Sequence, residues 1–212
     1  MACTSRFERK AFQQGFRLVA GLDEAGRGCL FGPVYAAAVI LDPARPIRGL
    51  NDSKQLTPTQ RETLAPVIRA SCIACSVASV DAAIIDRINI YQASRLAMRL
   101  ALEKLQPQPD YLLVDALKVE TPISQQALIH GDARCRSIAA ASVLAKVERD
   151  ASMEEWDRIY PHFGFRQHKG YSTPQHLEAL AQHGPTPHHR FSYEPVRSAG
   201  DAGAQLTLFA EA

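Results

Sequence analysis

The 212-residue sequence has no hydrophobic stretch long enough to cross a bilayer. Its longest apolar run, Val34 to Leu41, falls far short of the roughly 20 residues that a spanning helix needs. The first residues, Met1 to Gly15, mix Arg6, Glu8, Arg9 and Lys10 with apolar side chains, which argues against a secretory signal. A cytoplasmic protein without membrane association is predicted. Charge of one sign is equally scarce: 24 Lys and Arg against 22 Asp and Glu leave a formal net charge of +2. That balance neither supports nor excludes a polyanionic substrate, because catalytic carboxylates subtract from any basic surface.

Cysteine is sparse and odd in number, with five residues, and only Cys72-Ile-Ala-Cys75 has a paired spacing. No second pair accompanies it. The segment Cys72 to Val80 reads as a strand, on which positions three apart face opposite sides. Buried thiols are the favoured reading, with a redox or zinc pair as the alternative.

What is present is ordinary globular material: 46% hydrophobic and 22% charged residues, enough for one domain or a domain with a small appendage. Arg17 to Asp23 reads as a strand running into the turn Ala25-Gly26-Arg27-Gly28. Pro33 to Leu41 is apolar on both faces and so a central strand. Thr57-Pro58-Thr59-Gln60 is a capping box with proline at the first helical position, and a helix to about Arg69 follows. Cys72 to Val80 is a third strand, and Asp81 can cap the next helix. Asn89 to Leu105 has the apolar spacing of an amphipathic helix. Tyr111 to Val114 is a short buried strand that delivers Asp115 at its tip. Ser137 to Tyr160 is a long helix, and Thr173-Pro174 opens another to about His183. The pattern predicts an α/β fold with a mixed central sheet flanked by helices and a helical C-terminal extension.

Asp23 and Glu24 are adjacent acids where an apolar strand meets a glycine turn. Asp115 ends a buried strand, and Asp132 follows Gly131 just ahead of the long helix. Each alone is better explained by a turn or a helix cap, Asp132 especially. Brought together they repel unless a cation lies between them, and oxygen donors suit Mg²⁺ or Mn²⁺. No His- or Cys-rich spacing competes, which argues against zinc. The turn Gly26-Arg27-Gly28 lacks the pattern of a P-loop or a dinucleotide site, so by itself it is equally a tight turn or a ligand loop. The histidines, clustered between Pro161 and Arg190 without metal spacing, read mostly as surface or loop residues.

Several blocks stand in a fixed order. They are Gly21-Leu-Asp-Glu-Ala-Gly-Arg-Gly28 with Gly32-Pro-Val-Tyr-Ala-Ala-Ala-Val39, Asp52-Ser-Lys-Gln-Leu56, Ser137 to Asp150 (SIAAASVLAKVERD), His168-Lys-Gly-Tyr-Ser-Thr173 and His189-Arg-Phe-Ser-Tyr193. Together, over about Val19 to Val196, they resemble bacterial ribonuclease HII. The resemblance implies a ribonuclease H-like fold and four metal-binding catalytic acids, Asp23, Glu24, Asp115 and Asp132. Asp150 is the rival for the fourth place and is taken as a structural acid or one that supports the ligands from behind. It also implies two-metal hydrolysis giving a 3′-hydroxyl and a 5′-phosphate, with two Mn²⁺ or Mg²⁺ ions in the active complex. The substrates would be RNA–DNA hybrids and DNA duplexes with embedded ribonucleotides, which places the enzyme in ribonucleotide removal and DNA replication or repair. Recognition of the 2′-hydroxyl falls to Gly26, Arg27 and Gly28, and Tyr171 packs on the neighbouring sugar. Without its Lys-Gly-Tyr setting, Tyr171 reads as a core residue. Two departures are visible: many members have Gly at Ala116 and Phe at Tyr193.

Lys54, Lys146 and Lys169 are candidates for phosphate contacts, with plain solvation as the alternative. The enzyme is expected to be a monomer, with a catalytic domain over residues 1–198 and a tail over 199–212. Gln205-Leu206-Thr207-Leu208-Phe209 resembles the peptide by which bacterial proteins bind the replication sliding clamp. Gln205, Leu206, Leu208 and Phe209 are its candidate contacts, and docking on its own domain is the alternative. A different two-metal nuclease of the same fold would share the acids but not the glycine turn or Tyr171.

Overall fold

The computed structural model describes residues 3–200, and they pack as two compact units. Unit 1 takes the chain up to Ala25 with Tyr35–Ser79 and Ser94–Glu148; unit 2 takes Gly26–Val34, Val80–Ala93 and the chain from Arg149 onward. The candidate peptide Gln205–Phe209 lies outside the described residues. Among those residues no helix is long and apolar enough to cross a membrane.

The chain runs α1 (Arg6–Gln13), β1 (Val19–Ala25), β2 (Val34–Leu41), α2 (Pro58–Ser71), β3 (Cys72–Val80), α3 (Ala82–Glu103), β4 (Tyr111–Asp115), β5 (Ser124–Leu128), α4 (Arg136–Ile159), α5 (Phe165–His168) and α6 (Pro174–His183). Five strands form one mixed sheet in the order β3-β2-β1-β4-β5. β1 pairs antiparallel with β2 and parallel with β4, which in turn pairs parallel with β5. The α/β architecture expected from the pattern is present.

Local chemistry explains most boundaries. Thr57 Oγ1 accepts from the Gln60 amide at 3.3 Å and Gln60 Oε1 accepts from the Thr57 amide at 2.8 Å, closing the capping box of α2. Asp81 Oδ1 accepts from the Ile84 amide at 2.8 Å and starts α3. Inside α3 the chain breaks at Asn89, whose φ is 66°, and Asn89 Oδ1 caps the second half through the Gln92 amide at 3.1 Å.

In unit 1, Ala37 and Val39 of β2, Ile68 of α2 and the small residues Ala139 to Ala141 of α4 make a buried core. The small side chains let α4 lie close on the sheet. At Gly21 the approach is so tight that a Cβ would sit 2.1 Å from the Ser137 carbonyl carbon. In unit 2, Phe31 stacks on Phe165 at 3.8 Å between ring centres, in a core with Met153, Phe163 and Leu180. Residues 194–200 are helical, so this helix runs two residues into the segment expected to be tail.

Among the elements additional to those read from the sequence are α1, the short α5 and β5. Ser124–Leu128 (SQQAL) shows no alternation to read, because it is an edge strand with only Leu128 buried. The C-x-x-C reading also needs correction. Both thiols are half-exposed rather than buried. Cys72 is still the C-cap of α2, with Sγ 3.6 Å from the Arg69 carbonyl. Strand alternation does not yet separate the pair, and the Cys72 thiol donates to Cys75, lowering Cys75 to about 6.

Candidate active site

β1 ends in Asp23 and Glu24, and β4, its parallel neighbour, ends in Asp115. Parallel pairing brings both strand ends to the same edge of the sheet. Asp23 is 4% exposed, and its Oδ1 accepts from the Glu24 amide at 2.7 Å. Burial first, then the charges of Glu24 and Asp115, push its carboxyl well above the ordinary range; a hydrogen bond from Ser142 acts the other way, and Asp132 adds to the rise. Ser142 is itself held by Ser53, with the two hydroxyls 2.8 Å apart.

Asp115 is also raised, by burial above all, although its Oδ1 accepts from the Gly131 amide at 2.7 Å. That bond ties the β4 tip to the turn carrying Asp132. Asp132 is buried, and it does not cap α4: the helix begins at Arg136, and Asp132 Oδ1 accepts from the amide of Ala133 at 2.9 Å. The capping alternative therefore falls. Its place is taken by Glu8 of α1, whose Oε1 accepts from the Ser137 amide at 2.8 Å and the Ser137 hydroxyl at 2.9 Å.

Lys54 lies with these acids, its Nζ 3.2 Å from Asp132 Oδ2. Partial burial pulls this ammonium down, but Asp132, Asp52 and Asp23 outweigh that and leave it raised. Its loop is braced by buried Arg61, which donates to the carbonyls of Ser53 at 2.9 Å and Leu56 at 2.7 Å. Lys146 is on α4 in the same unit.

The donor set is four carboxylates, all hard oxygen ligands, with Asp23 buried among like charges. By kind and charge it fits a divalent cation. Among the described residues no three or more His, Cys, Asp or Glu side chains are gathered closely enough to hold a metal ion.

The other candidates belong to unit 2. Gly26 has φ 94°, and a Cβ there would sit 2.1 Å from Arg149 Nε. Both its conformation and the packing of Arg149 demand glycine. Gly28 is different: a Cβ there would meet open space, so the fold itself leaves room beside the turn. The Arg27 carbonyl accepts from Arg190 Nη1 at 2.8 Å and from the Tyr193 hydroxyl at 2.6 Å. The departure at position 193 thus supplies a hydroxyl that fastens the glycine turn.

Tyr171 is 41% exposed, so the core reading falls. Its ring lies 5.7 Å from the Arg149 guanidinium carbon. Burial first, then the neighbouring Cys29, push its hydroxyl up. Arg149, fully buried, also donates to the Lys169 carbonyl at 2.8 Å. Lys169 directs its ammonium to Glu154 Oε1 at 3.2 Å and the Asp150 carbonyl at 3.3 Å. Asp150 is in this unit, and its charge acts on Tyr171.

Not all histidines are surface or loop residues: His168, His176 and His189 are buried. Their hydrogen bonds fix their tautomers. The Thr186 amide donates to His189 Nδ1 at 3.0 Å, so His189 carries its proton on Nε2 and donates to His176 Nε2 at 3.1 Å. His176 Nδ1–H then donates to the Tyr171 carbonyl at 2.9 Å. His168 Nδ1 accepts from the Gly170 amide at 3.2 Å. Burial holds His176 down to about 4 and His189 to about 3, so both stay neutral. This relay, with Arg149 and Arg190, is not singled out by the sequence, and Tyr193 is marked there only as a departure. The signal for the others is their placement within the His168–Thr173, His189–Tyr193 and α4 blocks.

Comparison with known proteins agrees with these features. Residues 20–196 match the family described as Ribonuclease HII. A Ribonuclease HII of Solibacter usitatus is 58% identical over 98% of this chain and 92% of its own length. One from Geobacillus kaustophilus is 53% identical over 95% of this chain and 77% of its own. Among solved structures, ribonuclease H2 from Pyrococcus horikoshii superposes with a TM-score of 0.75 at 29% identity, covering 88% of this chain and 98% of that one. The RNase HII of Archaeoglobus fulgidus, solved in complex with PCNA, gives 0.72 at 28% identity, over 86% and 96%. The sheet is thus that of the ribonuclease H fold, and the chain belongs to the ribonuclease HII family, a family of endoribonucleases.

Proposed function

We propose that the chain cuts the RNA strand of RNA–DNA hybrids and cuts duplex DNA on the 5′ side of an embedded ribonucleotide, using two Mn²⁺ or Mg²⁺ ions. The observation that carries this is the burial of Asp23 among Glu24, Asp115 and Asp132, a concentration of like charge that stability alone does not favour. Those four residues would hold the metal, which when bound supplies activation of water and stabilisation of the leaving oxygen.

The remaining work is done by the chain. Asp23 and Asp115 are fixed by backbone amides, so the scissile phosphate meets a rigid acidic edge. Lys54, paired with Asp132, would meet a phosphate oxygen, and Lys146 is a further candidate for a phosphate contact. Water attacks phosphorus in line, the 3′ oxygen leaves as a hydroxyl, and the 5′-phosphate stays on the downstream fragment. In unit 2, backbone groups of Gly26, Arg27 and Gly28 bond the 2′-hydroxyl, which deoxyribose lacks. Tyr171, open to solvent and fixed by the histidine relay, packs on the neighbouring sugar. Lys169, committed to Glu154, is the weakest of the phosphate candidates.

The activity serves ribonucleotide removal during DNA replication and repair in the cytoplasm. Residues 1–198 form the catalytic domain, and 199–212 a tail whose Gln205, Leu206, Leu208 and Phe209 bind the sliding clamp. The A. fulgidus relative solved with PCNA supports a partner of that kind. Deleting residues 205–212 should leave cleavage intact and abolish capture on immobilised clamp; unchanged capture removes that assignment. The activity itself is tested with a DNA duplex carrying one ribonucleotide, in Mg²⁺ or Mn²⁺. Cleavage 5′ of the ribonucleotide, none of the all-DNA control and none by Asp115→Asn are expected. Equal cutting of the control, or full activity in Asp115→Asn, would overturn the reading.

A further inference from the structure

A groove of about 610 Å³ in unit 1 lies not at the acids but along α1. Glu8 and Ala11 of this helix are buried, and Phe7 and Phe12 pack beside Leu113, Leu128 and Ile138. The opposite face presents Arg6, Arg9, Lys10 and Gln13, all exposed, at the i, i+3, i+4, i+7 spacing of one helical stripe. Across the groove stand Gln126 of β5 and Arg134. Arg134 is fixed there: its guanidinium carbon lies 5.3 Å from the centre of the Phe7 ring, and Nη1 donates to the Ile129 carbonyl at 2.9 Å.

Four cations and two glutamines therefore line one groove with no Asp or Glu among the lining residues. Among the described residues none of Arg6, Arg9 or Lys10 forms an ion pair with a carboxylate. In a chain of net charge +2 this is a local concentration of one sign. The buried bonds from Ser137 to Glu8 lock the helix, so the stripe is presented rigidly. Arg6 to Lys10 covers about 6 Å of helix axis, over which one strand of a B-form duplex carries about two phosphates. Arg134 follows Asp132 by two residues, which sets the groove beside the acid-bearing turn along the chain.

We propose that this groove is a second phosphate-contact site, which holds the backbone of the duplex beyond the cleaved nucleotide. It rests on the reading of the chain as a nuclease acting on duplexes, and it adds where the flanking helix is held. Arg134 and the α1 cations meet successive phosphate oxygens, and Gln13 and Gln126 donate neutral hydrogen bonds to the same backbone.

The test uses the full chain with Arg6→Gln, Arg9→Gln and Lys10→Gln combined, none of which touches the acidic site. Binding is measured with Ca²⁺ in place of Mg²⁺. The duplexes each carry one ribonucleotide: a short one of about 10 base pairs, and others extended to about 24 on either side. A control triple, Arg17→Gln, Arg99→Gln and Lys104→Gln, removes the same net charge elsewhere in unit 1.

On one extended duplex the slope of log affinity against log salt should fall by about 2–3, at about 0.9 for each lost phosphate contact. The gap between wild type and variant would then be about 40-fold larger at 50 mM salt than at 200 mM. Cleavage of the short duplex, and turnover at saturating long duplex, should be unchanged. An unaltered slope overturns the proposal. So does an equal loss with the control triple or on the short duplex, and so does a loss confined to polyglutamate, which would mark an acidic-peptide site. A wild-type chain that ignores the ribonucleotide would instead overturn the activity reading.

Discussion

In unit 1 buried Asp23 and Asp132 share their surroundings with Glu24 and Asp115, a cluster of one sign, whereas unit 2 buries neutral histidines and two arginines bonded to backbone carbonyls. Asp23 and Asp115 are raised because each ionised form is buried near other carboxylates. His176 and His189 are lowered because burial disfavours the imidazolium, and their neutral tautomers complete a chain of hydrogen bonds ending on the Tyr171 carbonyl. One region holds charge that a cation can relieve. The other holds a shape, with protons assigned to fixed atoms. On the proposed function, the first serves hydrolysis and the second selection of a ribonucleotide.

The sharpest way to separate them is Asp23→Asn. It should cut turnover by about 10³-fold, since a metal ligand is worth several kcal/mol of transition-state stabilisation. Metal-free protein should at the same time gain about 1 kcal/mol, seen as a melting point about 2–4 °C higher. Loss of both activity and stability would mean that the carboxylate is structural.

Acid should weaken unit 2. The folded values of His176 and His189, about 4 and about 3, lie below the unfolded imidazole value of about 6.5. The unfolded chain therefore takes up protons first, and stability present above pH 6.5 is lost as pH falls. Between pH 7 and 5 the loss is about 2 kcal/mol for each imidazole. The raised carboxyls of unit 1 act in the opposite sense, so urea unfolding of His189→Gln, with about half the histidine loss, isolates the relay. An identical pH profile in that variant would break the contrast.

Gly26→Ala should cost about 3 kcal/mol, from the positive φ and the overlap with Arg149. Chemical denaturation measures it. Tyr193→Phe is milder. It removes one of two donors to the Arg27 carbonyl and should cost about 1 kcal/mol of binding. A few-fold rise in KM for an embedded ribonucleotide with kcat unchanged is the expected split. Smallest is Ala116→Gly in unit 1. Ala116 sits at φ 50°, next to Asp115, and glycine there should add about 0.5–1 kcal/mol, read as a higher melting point.

How much of this was legible depends on what each residue touches. The capping box at Thr57 is a local pattern, readable because its partners lie three residues apart, and the β1 and β4 tips are readable as apolar runs that end in acids. Asp132 was ambiguous between cap and ligand, and the partner that resolves it, Glu8, lies more than 120 residues away along the chain. The histidines looked like surface residues because polarity alone says nothing of burial. What buries them is a backbone carbonyl, an amide and each other. β5 gave no signal because an edge strand needs no apolar face. The two departures from the family pattern turned out to be informative: Ala116 occupies a left-handed position, and Tyr193 holds the glycine turn.

The reach of Glu8 sets a practical limit on trimming this protein. The shared family pattern starts at residue 20, so a fragment cut to that pattern keeps every acid and every residue of the glycine turn while discarding α1. It would also leave the amide and hydroxyl of Ser137 and the thiol of Cys135 without their acceptor, one turn from Asp132. The smallest unit that keeps the acidic edge in register therefore begins before the first strand, at a helix whose outer face faces solvent and whose inner carboxylate closes another helix's end.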